Sequence, residues 1–325
     1  MGGHCWVMGK IDGRLLAQRR RDLLAAGVTR AQLESARWVS PHFGYHRSAQ
    51  VNDPIRQRIL DATAVMPDHA VVGGWASAYL QGVAYLDGGW PRTVHGEPRV
   101  GEPVLLVVPP GTVVNRPGIR TLRATLEPED VVECHGIRCT SGVRTTYDVL
   151  RLAPDLTEAV VSGDCLLHAG LADIDTVSAY EVAHPGRRGV RQLRAALPLL
   201  DKLAASPPES RLRLLCLRAG LPPLEVNAPI FDVDGTFLGI VDLLEPVSGL
   251  GLEYDGAYHR DIGQHTADNH REEGLERRGL TIVRVTSVDM ADEVALVSRI
   301  RRAHHTCLST TPLFPPRWTF HRRAA

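Results

Sequence analysis

Lysine is almost missing from this chain: Lys10 and Lys202 are the only two, and arginine carries the rest of the basic charge. No reaction that needs a lysine can be served from beyond position 202. Cysteine is sparse and scattered, at positions 5, 134, 139, 165, 216 and 307, with no Cys-x-x-Cys pair. Cys134, His135 and Cys139 lie close in sequence, but no second ligand pair follows at zinc spacing, so the residues read as reduced thiols of a cytoplasmic protein. No apolar run reaches the ~20 residues of a membrane helix, and the N-terminus lacks the apolar core of a secretory signal. No membrane partner is expected. Formal net charge is zero, which excludes a whole-molecule polycation.

What is present is ordinary core material in an unevenly charged chain. With 325 residues, 44% of them hydrophobic, two or three domains are expected. The first fifty residues sum to about +5, and the last thirty hold arginines and no acids. Such ends suit phosphate backbones. Residues 1–10 read as a disordered leader. Residues 11–50 read as a winged helix-turn-helix: Leu15, Leu16, Leu23 and Leu24 mark one apolar face, and Thr29 caps a second helix over 30–37 with Leu33 and Ala36 inward. That helix would carry Arg30, Gln32 and Arg37 toward a DNA groove. Residues 51–203 read as an α+β domain, with strands over 104–108, 119–123, 131–132 and 137–140 and helices on either side. A hinge of small residues and proline at 204–208 opens the last domain, 204–303, whose pattern is α-β-β-β-α-β-α. Residues 304–325 read as a basic tail.

The stretch Gly239–His259, GIVDLLEPVSGLGLEYDGAYH, holds the densest chemistry. It reads as two short strands joined by a turn. Asp242 interrupts an apolar run on the first, and Glu253 and Asp255 share a face of the second. A carboxylate inside an apolar strand is costly unless cationic or polar groups receive it. A divalent cation does so economically, and Mg²⁺ typically takes one or two carboxylates together with waters and phosphate oxygens. Each acid also has a structural use. Glu209 completes a Ser206-x-x-Glu capping box, Asp242 can pair with an arginine, and Glu253 can end a polar strand.

Two resemblances sharpen this picture. The segments VVGGWASAYLQGV (71–83), GIRCTSGVRTTYDVL (136–150) and DCLLHAG (164–170) resemble AbiEi-type antitoxin/regulator proteins of bacterial abortive-infection systems. That resemblance covers residues 11–200 and implies a regulatory role, with a toxin or phage-defence protein as partner and no catalytic residue. The segments SPPESRLR (206–213), GIVDLL (239–244), LEYDGAYH (252–259), DNHR (268–271) and GLTIVRVT (279–286) resemble the PD-(D/E)XK nuclease superfamily. The nearest branch holds the very-short-patch-repair endonucleases. This second resemblance implies a restriction-endonuclease-like α/β domain with a mixed central sheet and Mg²⁺- or Mn²⁺-dependent cleavage of DNA. Asp242 and Glu253 would bind the metal directly, Glu209 would hold a metal-bound water or a second ion, His259 would orient or deprotonate water with Asp255 in the same catalytic group, and Asp268 and Arg271 would support the site. The chain departs from the superfamily at Asp255, which stands where a lysine is usual. That departure keeps open a catalytically inactive DNA-binding regulator or antitoxin. A further motif, FDVDGT at 231–236, resembles haloacid-dehalogenase-type phosphatases with Asp232 as nucleophile, but also reads as a hairpin turn at Asp234-Gly235.

Overall fold

The computed structural model describes residues 15–89, 101–256, 271, 273–309 and 317–321. The leader expected at 1–10 lies outside them, as do His259 and Asp268.

Along the chain, β1 (Gln18–Arg19), α1 (Arg20–Ala25), α2 (Arg30–Leu33), β2 (Trp38–His42) and β3 (Tyr45–Ser48) come first. They are followed by α3 (Pro54–Thr63), β4 (Val71–Gly73), α4 (Gly74–Leu80), β5 (Val104–Val108), β6 (Ile119–Arg123), β7 (Val131–Cys134), β8 (Ile137–Thr140) and α5 (Gly142–Leu152). Then come α6 (Leu156–His168), α7 (Ile174–Ala183), α8 (Val190–Ala196), α9 (Pro207–Arg218), β9 (Glu225–Asp232), β10 (Phe237–Glu245) and β11 (Leu250–Asp255). Residues 273–276 are helical, and β12 (Thr281–Thr286), α10 (Ser287–Ala291), α11 (Glu293–Ser309) and β13 (Trp318–Phe320) complete the order. The chain is thus mixed α/β. It forms two compact units, one running to Leu152 with Ala169–Leu193, the other Ala153–His168 with Arg194 onward.

The first unit holds two sheets. A small one, ordered β1-β3-β2, has its two short helices inserted between β1 and β2. Thr29 caps α2 through a reciprocal pair of bonds with Gln32, as its sequence suggests. The helix lasts only four residues, however, and Ala36 is exposed rather than inward. The larger sheet runs β6-β5-β4-β8-β7 with both parallel and antiparallel pairs. Its strand β5 is buried throughout, hence its unbroken VLLVV. His135 and Gly136, at φ of 53° and 76°, make the tight β7–β8 turn. Within α5, Arg144 is completely buried and pairs with Asp130 and Asp148, while Arg151 takes the other oxygen of Asp148. The helix α7 has no counterpart in the sequence reading. Its apolar residues do not sort to one face, and Val182 is largely exposed, so its own pattern carries little signal.

The second unit is a five-stranded sheet ordered β12-β11-β10-β9-β13. Only β11–β12 is parallel. The turn at 233–235 closes an antiparallel β9–β10 hairpin, with Gly235 at φ 87°. Asp232 there is bound by Arg278, so FDVDGT is a hairpin, not the start of a parallel phosphatase sheet. Leu212, Leu215 and Cys216 of α9 and Leu296 and Ile300 of α11 pack with Leu243, Leu250 and Leu252 on one side. Leu275 and Leu280 pack with Ile230, Val241 and Leu244 in a second cluster. The order α-β-β-β-α-β-α is that expected over 204–303. Helix α6, read with the middle region, belongs here: Asp164 accepts Arg213 of α9 at 2.7 Å. The expected basic tail is also partly structured, because α11 runs to Ser309 and Trp318–Phe320 adds an edge strand to β9.

Replacing Arg144 with Ala would leave Asp130 and Asp148 buried without their cation. The expected result is a loss of about 3–5 kcal/mol in urea unfolding; a loss under ~1 kcal/mol would show that the network is not fully desolvated.

Candidate metal centre

The register of β10 on β11 pairs Leu243 with Leu252 and Leu244 with Gly251. Continued by one step, it sets Asp242 opposite Glu253. The ladder between these strands stops at that step, and the strands fork. Two side chains satisfy the backbone groups the fork frees. The Asp242 carboxylate accepts the Tyr254 N–H at 2.8 Å. Arg271 donates to the Ile240 carbonyl at 3.0 Å and grips both oxygens of Glu253 at 2.9 Å. Across the other edge of β10, pairing of Val241 with Ala228 and of Leu243 with Val226 places Asn227 opposite Asp242.

Burial pushes the Asp242 carboxyl up to about 6. The Tyr254 N–H opposes that rise, the charges of Glu209 and Glu253 add to it, and Arg271 opposes it. Two carboxylates and one guanidinium therefore lie within electrostatic reach of Asp242. Glu209 is otherwise engaged: it accepts Ala205 N–H, the Ser206 hydroxyl and the Asn227 amide at 2.8–3.0 Å. The expected capping box is only half formed: the Ser206 hydroxyl accepts the Glu209 N–H, but the Glu209 carboxylate takes the Ala205 N–H in place of the Ser206 N–H. Asn227 was not evident from sequence, although its φ of 49° is one that Asn tolerates well. Asp255 lies two residues beyond Glu253 on β11 and is half-buried.

The donor chemistry around Asp242 is all oxygen, which suits a hard divalent cation. Among the described residues, no group of three or more His, Cys, Asp or Glu side chains is arranged to hold a metal. The two carboxylates at the fork are each engaged by the protein, Asp242 by the Tyr254 N–H and Glu253 by Arg271, and Glu209 is taken up by Ala205, Ser206 and Asn227.

In the first unit, Arg30, Gln32 and Arg37 are all exposed. The Gln32 side-chain oxygen is occupied by the Thr29 N–H at 2.7 Å. The Cys139 thiol donates to the Ile137 carbonyl at 3.3 Å, and the neighbouring thiols pull Cys134 down to about 7 and push Cys139 up. No helix among the described residues is long and apolar enough to cross a membrane.

The chain is similar to Uncharacterized protein MT2308 of Mycobacterium tuberculosis (strain CDC 1551 / Oshkosh), at 34% identity over 119 residues, 36% of this chain and 44% of the relative. Uncharacterized protein Rv2248 of Mycobacterium tuberculosis (strain ATCC 25618 / H37Rv) gives the same identity and coverage. The chain spans less than half the length of these curated relatives. No family model matches it, and no solved structure matches it.

The raised Asp242 carboxyl has a consequence for stability. Below pH ~3 it is protonated in the folded and unfolded chain alike and costs nothing. Between its ordinary 3.8 and about 6 the unfolded chain releases a proton that the folded chain keeps, so stability falls as pH rises. Above pH 6 the full penalty of about 3 kcal/mol applies. Asp242→Asn keeps an acceptor for Tyr254 N–H and removes the charge. In EDTA it is expected to raise urea stability by about 2–3 kcal/mol at pH 8 and by under ~1 kcal/mol at pH 4. A variant less stable at both pH values would mean that the carboxylate is held by more than Tyr254.

Proposed function

We propose that the second unit is a nuclease centre that hydrolyses phosphodiester bonds in DNA with Mg²⁺ or Mn²⁺. One observation carries the reading: the β10–β11 register, continued one step past Leu243–Leu252, sets Asp242 opposite Glu253, and the Glu253 charge helps raise the Asp242 carboxyl. Carboxylates in register at a strand fork repel each other unless a cation is shared, and only Glu253 already has one. When bound, the metal would polarise the scissile phosphate, lower the pKa of an attacking water and stabilise the leaving oxygen. Asp242 and Glu253 would hold it. Glu209 would act from behind, fixing Asn227 and the start of α9. Arg271 would let go of Glu253 and turn its planar fork to a phosphate oxygen, a group it suits as well as a carboxylate. Asp255 follows on the same strand in place of the usual lysine. His259 is the proposed group for orienting or deprotonating water, and Asp268 its proposed helper; the resemblance supplies both roles. The αβββαβ order and the mixed sheet support this reading.

A second reading has its own observation. Arg271 grips both oxygens of Glu253, an arrangement that closes the fork without any metal. With no lysine available, the domain would then serve a DNA-binding regulator or antitoxin, with Arg30, Gln32 and Arg37 at the DNA and a toxin or phage-defence protein as partner.

The readings separate in one assay. The purified chain is incubated with supercoiled plasmid and with linear duplex in Mg²⁺ or Mn²⁺. The nuclease reading expects cleavage that EDTA stops and that Asp242→Ala or Glu253→Ala lowers by more than about 100-fold. Intact DNA at every metal concentration, with the protein folded, would hand the conclusion to the regulator.

A further inference from the structure

The first unit carries a second concentration of charge that neither resemblance explains. Arg19, Arg20, Arg21, Arg30 and Arg116 line one hollow of about 700 Å³, together with Leu24, Gly44 and Tyr45. They come from separate places: the start of α1, the start of α2 and the loop before β6. No acid lines the hollow. Arg19 is held by the Tyr45 hydroxyl at 3.1 Å, and Arg21 by its neighbour Asp22 at 3.2 Å. Among the described residues, no ion pair is seen for Arg20, Arg30 or Arg116. Guanidiniums gathered within a Debye length repel one another, so the arrangement is costly unless an anion answers it. Arginine's planar donors match phosphate oxygens.

The expected base-reading helix is poorly built for that task. At four residues, α2 is about 6 Å long, short against a major groove about 12 Å wide. A glutamine reads adenine with its carbonyl and its amine together, and the Gln32 carbonyl is spent on Thr29 N–H. Arg37 is not part of the hollow.

We infer that the first unit grips the phosphodiester backbone of duplex DNA through this arginine-lined hollow, without reading sequence through α2. The inference rests on DNA being the substrate of the second unit, but it uses none of that unit's residues. A backbone grip holds duplex of any sequence, and its strength is set by counterion release.

The test is fluorescence anisotropy of labelled duplexes of three unrelated sequences, with the full chain in EDTA, where metal-dependent cleavage is silent. Five phosphate contacts give a slope of log affinity against log salt near −4.5, or roughly a 500-fold loss between 50 and 200 mM salt. The expected result is similar affinity for all three duplexes. Arg20→Ala with Arg116→Ala should lower the slope's magnitude by about 2, and the paired Lys variant should restore most of it. Grip is read in EDTA and cleavage in Mg²⁺, so loss of cleavage and loss of grip are read separately. Three outcomes would overturn the inference: an unaltered slope in the double Ala variant with its melting temperature preserved; strong preference for one duplex, lost in Gln32→Ala or Arg37→Ala; or inorganic polyphosphate binding as tightly as duplex.

Discussion

The fork between β10 and β11 is the constraint on which the second unit depends. An antiparallel ladder that stops early leaves N–H and C=O groups that must find partners. Here the partners are side chains, Asp242 for the Tyr254 N–H and Arg271 for the Ile240 carbonyl. The same two residues that repair the backbone also bring charge into the gap, and Glu253 completes the group. Backbone bookkeeping and site chemistry are therefore one problem in this sheet. A conventional ladder would have buried these positions as apolar pairs, as it does at Leu243 and Leu252.

The fork also explains why the site is held at the expense of stability. A half-buried carboxylate with two acidic neighbours is an unfavourable element in an otherwise well-packed sheet. Leu243, Leu252, Val241 and Ile282 around it are all in the cores. The regulator reading has to account for why Asp242 remains so placed. The nuclease reading has to account for Arg271, which must exchange a carboxylate for a phosphate. Arginine makes that exchange with little change of geometry, because both ligands present paired oxygens to the same fork of donors.

Much of this was legible in the chain. Turn chemistry marked the hairpin at 233–235, and the α-β-β-β-α-β-α order followed from strong local signals. Asp242 and Glu253 stood out because each is an acid in an apolar strand. What was not legible depends on long-range pairing. Nothing near Asn227 announces that it will lie opposite Asp242, and nothing near Glu209 shows that its second oxygen is spent on Ala205. The arginines of the hollow are separated by up to about a hundred residues, so only the folded chain assembles them. Helix α6 seemed part of the middle region until its Asp164 met Arg213. The edge strand at Trp318 was masked by the arginines around it.

The central claim is that Asp242 and Glu253 share a divalent cation. Electron paramagnetic resonance of Mn²⁺ titrated into the full chain, with a non-cleavable phosphorothioate duplex present, counts bound metal directly. The account expects bound Mn²⁺ that is lost in Asp242→Asn and in Glu253→Gln while the duplex stays bound. Mn²⁺ binding that is absent from the wild type, or that is unchanged in both variants, would contradict it.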